Sequence, residues 1–87
     1  MDEFARIGWN VRRLRRRRGV TQEVLAADSG LDRGYVSGVE RGVRNPSVKQ
    51  LARMAHALDA DISELFDLDE AESFAAATGQ AHDTTAL

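Results

Sequence analysis

Three glycines and four capping residues divide this 87-residue chain into short segments. Gly19, Gly30 and Gly42 each close a stretch of helical periodicity, and Thr21, Asp32, Ser47 and Asp61 each precede one. Glycine tolerates the left-handed conformation that ends many helices, and a Thr, Ser or Asp side chain accepts from the exposed N–H groups of a first turn. Ser47 with Gln50, and Asp61 with Glu64, have the spacing of capping boxes. No alternating β-branched run is present. The expected fold is therefore all-α and compact, with five helices. Helix 1 ends at Gly19, helix 2 runs from Gln22 to about Asp28, and helix 3 spans about 32–41. Helix 4 follows Ser47, and a short helix 5 follows Asp61.

Apolar spacing supplies each helix with a buried face. Phe4, Ile7, Val11 and Leu14 form one stripe in helix 1. Helix 2 offers Leu25 and Ala26, helix 3 Val36 and Val39, and helix 4 Val48, Leu51, Ala52, Ala55 and Leu58. Val20 can staple to Leu25, and Leu31 to Val36. Helix 5 carries Ile62, Leu65 and Phe66, too many large apolar groups for so short an element to bury alone. The length suits one small domain, residues 1–67, followed by an acidic tail at 68–87. Within that tail, "DEAESFAAA" has the pattern of a short sixth helix and "TGQAHDTTAL" reads as frayed or disordered.

Net charge is −2, but its distribution is uneven. Residues 1–53 hold all twelve Lys and Arg against six Asp and Glu, a net +6; residues 54–87 hold no Lys or Arg and eight Asp and Glu, a net −8. A local field, not total charge, attracts a polyanion. Charge segregation also serves solubility, so the motifs must decide. There is no cysteine, hence no disulfide or thiolate metal site. No apolar run approaches the ~20 residues of a membrane span, and no apolar segment follows the N-terminal "MDEF" as a secretory signal requires. A cytoplasmic location with no membrane partner is expected.

The stretch "LDRGYVSGVERG" keeps Gly34 and Gly38 inside helix 3, each costing about 1 kcal/mol against alanine. At 100° per residue, Arg33, Gly34, Ser37, Gly38 and Arg41 share one arc, opposite Val36, Val39 and Glu40. Such a small, basic face suits either of two partners. It admits another protein helix closely, or it lets a backbone sit deep in the DNA major groove while arginine pairs with guanine. Two short helices joined by a glycine-containing turn, "AADSGLD", form the helix-turn-helix pattern, whose second helix is the reader.

The ordered segments "GWNVRRLR", "TQEVLA", "YVSGVERG", "RNPS" and "LARMAHALDADISELF" together resemble the Cro/C1-type (XRE) helix-turn-helix regulators, whose fold is lambda-repressor-like. Within that family, "LDRGYVSGVERG" followed by "RN" is most similar to small stand-alone regulators, among them restriction–modification controller proteins; phage repressors and antitoxins share the scaffold. The resemblance implies a homodimer on a palindromic double-stranded operator. It places Arg33 at the base-reading position and Gly34, Ser37 and Gly38 on the groove face, where the glycines give shape rather than hydrogen bonds. It assigns Gln22, Thr21, Tyr35, Arg41, Arg44 and Asn45 to phosphate contact, with Arg18 a further candidate and Tyr35 and Ser37 also within reach of a base edge. It pairs Arg15 with Glu40 as a structural tie, and it places dimerisation near Ile62, Leu65 and Phe66.

The other features leave alternatives. Arg12, Arg13, Arg16 and Arg17 read equally as a solvated face or as general phosphate attraction. Trp9, where the family usually has a polar residue, is expected against the chain's own tail near Phe74, or at a subunit contact. His56 and His82 have no acid–base or nucleophile partners nearby in sequence, and no glycine-rich loop lies between strand and helix, so no enzyme, metal or cofactor is expected. No sensor domain is visible, so no small-molecule ligand is expected. The acidic tail is read as inert, as an extension of the dimer, or as a contact for RNA polymerase. The competing function is an antitoxin or other interaction module whose tail binds a partner protein.

Overall fold

The computed structural model describes residues 2–68. The expected sixth helix, the frayed segment after it, Phe74 and His82 lie outside the described residues. Four α-helices follow in order: α1 (Glu3–Arg18), α2 (Gln22–Ser29), α3 (Arg33–Glu40) and α4 (Val48–Ala57). The fifth element is a 3-10 helix, Ile62–Phe66, where an α-helix was expected. No strand is present among the described residues. Four of the caps lie where the sequence placed them, and Asp2, at the head of α1, is a fifth. Asp2, Thr21, Asp32, Ser47 and Asp61 each accept from a first-turn N–H, and both capping boxes close. Backbone N–H donation from Ser63, then its side chain, holds the exposed Asp61 carboxyl below its ordinary range.

In the fifth element Glu64 N donates to Asp61 O at 2.9 Å and Asp67 N to Glu64 O at 3.3 Å, both three-residue steps. The tighter winding is common in pieces this short. At its C-terminal end the carbonyls of Leu65 and Asp67 accept from the Asn10 side chain, at 3.1 and 3.2 Å.

One core joins all five elements: Ile7, Val11 and Leu14 from α1, Leu25 and Ala26 from α2, Val36 and Val39 from α3, and Leu51, Met54, Ala55 and Leu58 from α4, with Leu65. The seam of α4 differs from expectation. Val48 is 73% exposed and Ala52 is exposed, while Met54 is fully buried. Residues 51, 54, 55 and 58 form the true i, i+3, i+4, i+7 stripe, and Val48, at the first helical position, points away from it. Phe4 is only half-buried.

Two close approaches fix α3. Gly8 of α1 lies against the last turn of α3, so near that a Cβ there would overlap the Val39 carbonyl oxygen and sit 2.7 Å from that of Glu40. Gly42, at φ 74°, turns the chain past Ala5, where a Cβ would meet Ala5 Cα at 3.1 Å. Gly30, at φ 71°, makes the α2–α3 turn, in which Leu31 N returns to Ala26 O at 2.9 Å.

Candidate nucleic-acid interface

The α2–turn–α3 unit places one helix face outward. Arg33 and Gly34 are exposed, Ser37 is half-buried, and Arg41 follows at the C-terminal end. A Cβ at Gly34 would meet only the Asp32 carboxylate, at 2.9 Å, so this part of the face is open. Gly38 is different. It is buried under the aliphatic stem of Arg44, and a Cβ there would lie 2.8 Å from Arg44 Cγ. The structure thus corrects the expectation of a bare glycine face: the space at Gly38 is filled by the chain's own arginine. The Arg44 guanidinium sits 5.7 Å from the centroid of the Tyr35 ring. Tyr35 Oη in turn donates to Gln50 Oε1 at 2.9 Å, and that same oxygen accepts from Ser47 N at 2.8 Å. Tyr35 therefore ties α3, the Arg44 loop and the start of α4 together.

Behind this face lies Glu40, with a fully buried side chain. Arg15 meets both of its oxygens, Nε to Oε2 at 2.6 Å and Nη2 to Oε1 at 3.1 Å, and Arg15 Nη1 also donates to Val20 O at 3.0 Å. The expected pair is therefore formed. Two further donors reach Oε1: Gln22 Nε2 at 3.0 Å and Arg12 Nε at 3.4 Å. Burial alone would raise the Glu40 carboxyl, but hydrogen bonds from Arg15, Gln22 and Arg12 and the charge of Arg15 outweigh it and hold it below its ordinary value. The hydrogen bond to Glu40 likewise raises the Arg15 guanidinium, against burial and with help from the charges of Glu40 and Glu23.

Gln22, expected at phosphate, spends one of its two amide N–H groups on Glu40. The Thr21 hydroxyl accepts from Val24 N at 3.1 Å and keeps its own proton for an outside acceptor. Arg41, Arg44 and Asn45 are exposed on the loop after α3. Arg18 is exposed and lies 3.7 Å from Asp59.

Other expectations are corrected. Leu65, grouped with Ile62 and Phe66 at a subunit contact, is fully buried in the chain's own core, and Ile62 packs partly against it. Phe66, 40% exposed, and Leu68, 47% exposed, carry the free apolar surface at that end. Arg13 is neither solvated nor directed outward. Its Nε and Nη2 donate to Asn10 Oδ1 at 3.2 and 3.0 Å, and its guanidinium lies 5.6 Å from the Trp9 ring centroid and 3.8 Å from Asp67. Two side chains went unremarked in the sequence. Asn10 is fully buried; its only signal was a polar residue on the apolar stripe between Ile7 and Leu14. Glu23, on the first turn of α2, lies 3.1 Å from Arg33 Nε, and no spacing within one helix could have revealed it.

Comparison with known proteins settles the family. The helix-turn-helix model HTH_3 matches residues 11–65. This chain belongs to the Cro/C1-type (XRE) helix-turn-helix family. It is 46% identical over 65 residues to the HTH-type transcriptional regulator y4dJ of Sinorhizobium fredii, covering 75% of this chain and 84% of that one. It is 38% identical over 72 residues to the control protein C.MunI of Mycoplasma sp, covering 82% and 97%. The crystal structure of the restriction-modification controller protein C.AhdI from Aeromonas hydrophila superposes with a TM-score of 0.71 at 49% identity, over 72% of this chain and 96% of that one. In this helix-turn-helix protein α3 is the second helix of the motif, and the Glu40 cluster locks it to α1 and α2.

Proposed function

We propose that this chain is a sequence-specific transcriptional regulator that places α3 in the major groove of duplex DNA and binds a palindromic operator as a homodimer. The observation that carries the proposal is the outward face of α3, where an exposed Arg33 stands beside the open Gly34. Arginine can pair bidentately with guanine O6 and N7, and the glycine lets the helix approach closely. Around it, the first turn of α2 with Thr21 and Gln22, and the loop with Arg41, Arg44 and Asn45, flank the groove as phosphate contacts. Arg18 would extend that grip. Ser37 and Tyr35 stand within reach of phosphate or a base edge. Gly38 acts only through the Arg44 that covers it.

Phe66 and Leu68, with Ile62 beside them, supply the apolar surface for a two-fold contact. Such a dimer would set two α3 helices about 34–36 Å apart, one turn of DNA. The likeness to C.MunI and C.AhdI supports a restriction–modification controller acting in the compartment that holds the DNA. Control would come through protein concentration and dimerisation rather than a bound ligand.

The test is selection of duplexes from a random pool, followed by binding of the recovered sequence across a salt series. The expected result is a palindrome with a guanine per half-site, whose recognition is lost in Arg33→Ala. The slope of log affinity against log salt would then count phosphate contacts. Folded protein that enriches no sequence would overturn the proposal and point to an antitoxin-like interaction module.

A further inference from the structure

We propose that Glu23 is a positioning residue for Arg33, one that sharpens discrimination between base pairs at the expense of raw affinity for DNA. The inference rests on the major-groove reading of α3. Arg33 occupies the first position of α3, a turn away from any core contact, and its neighbour Gly34 has no side chain to pack against it. An arginine there has four rotatable bonds and little to restrain them. The Glu23 carboxylate reaches across from the first turn of α2 to lie 3.1 Å from Arg33 Nε. The side chains are 60% and 65% exposed, so this ion pair adds little to stability. Its position at the tip of the reader helix gives it another use.

The pair acts on Arg33 in two ways. It sets the Glu23 carboxylate beside Nε, so the guanidinium is drawn to that side by charge and its Nη1 and Nη2 groups stay available to guanine O6 and N7. It also sets a negative charge beside the cation that DNA would otherwise attract anywhere along its backbone. An unpaired arginine gains from every phosphate, whatever the sequence. A paired one gains less from phosphate, and the repulsion between Glu23 and the backbone is offset only where a guanine accepts both Nη groups. Specificity is a difference between affinities, and lowering the wrong one is as effective as raising the right one.

The experiment uses the full chain and three duplexes: the selected operator, the same duplex with the Arg33-dependent G·C pair replaced by A·T, and a random sequence of equal length. Glu23→Gln, Arg33→Ala and the double variant are compared by fluorescence anisotropy at two salt concentrations. Glu23→Gln is expected to melt within about 2 °C of the parent. It should bind the random duplex about threefold more tightly and lose about fivefold in discrimination between the two operators. In the Arg33→Ala background the same change should leave discrimination untouched. Parent-like discrimination in Glu23→Gln would overturn the proposal. So would an undiminished effect in the Arg33→Ala background, which would make Glu23 a direct reader of cytosine N4. If Arg33→Ala itself discriminates as the parent does, the major-groove reading of α3 fails, and this inference with it.

Discussion

The Glu40 carboxylate is gripped through both oxygens by Arg15, at 2.6 and 3.1 Å, at a point where none of its side chain meets solvent. Removing Arg15 leaves the buried charge with only Gln22 and the more distant Arg12 on one oxygen, at a cost near the lower end of roughly 3–5 kcal/mol. Arg15→Ala should therefore lower the melting temperature by at least ~12 °C in a domain of this size. It should lose folding before it loses any specific DNA contact. A melting point equal to that of the parent would show the pair to be idle.

The same carboxylate gives the fold an acid limb. Its folded pKa lies below the ordinary value of 4.5, so the unfolded chain binds the proton more readily than the folded one. The stabilisation is fully present above pH 4.5 and is lost as the pH falls through the lowered folded value. Thermal melts of the parent and Glu40→Gln from pH 7 downward should show the parent's advantage shrinking only below pH 4.5. A gap that stays constant down to pH 3 would assign the acid limb to other carboxylates.

The Asn10 amide satisfies backbone far along the chain. Its Nδ2 serves the carbonyls of Arg6, Leu65 and Asp67, and its Oδ1 takes two N–H groups of Arg13. Asn10→Ala strands the carbonyls of Leu65 and Asp67 and loosens Arg13, which should cost about 2–3 kcal/mol. The loss should be local first: amide exchange should accelerate across residues 62–68 more than in α2 or α3. Uniform acceleration over the whole chain would contradict a local tether.

These two polar centres mark what the sequence reveals and what it hides. Helix limits were legible because caps are local: Thr21, Asp32, Ser47 and Asp61 act within three residues of themselves. The Arg15–Glu40 tie spans 25 residues and was visible only through family resemblance. Asn10 went unremarked although it is a polar residue on the apolar stripe, and its partners 55 and 57 residues away could not be read from local spacing. An arginine run looks the same whether it is solvated or folded back, so Arg13 could not be separated from Arg16 and Arg17. A glycine likewise looks the same whether its space is open, as at Gly34, or filled by a distant side chain, as at Gly38.

The glycines can be told apart by alanine substitution. At Gly8 a Cβ would run into the backbone carbonyls of Val39 and Glu40, which cannot yield without moving α1 from α3. Gly8→Ala should destabilise by about 3 kcal/mol or more and disturb the Glu40 cluster. At Gly34 the obstacle is Asp32 Oδ2, the atom that caps α3 by accepting from Tyr35 N. Gly34→Ala should hold stability within ~1 kcal/mol, helix propensity working against the loosened cap, while weakening operator binding by crowding the groove. Chemical denaturation read beside anisotropy separates the two quantities. Gly34→Ala that holds stability with full operator affinity would mean that this turn of α3 does not approach the bases.

Gly38 makes the most specific claim, because its obstacle is a side chain that can leave. A Cβ would sit 2.8 Å from Arg44 Cγ and 3.1 Å from Nε, so Gly38→Ala should keep the fold and displace Arg44 from its place beside Tyr35. Helix propensity favours the alanine by roughly 1 kcal/mol, so stability should hold or rise slightly. Operator affinity should fall about fivefold, as the loop arginine loses its preset position and must be ordered on binding. The cause can be isolated with Arg44→Ala: if Gly38 acts through Arg44, the two substitutions together should cost no more than Arg44→Ala alone. Additive losses would instead place the methyl group itself against DNA, returning Gly38 to the open groove face that its sequence position suggested.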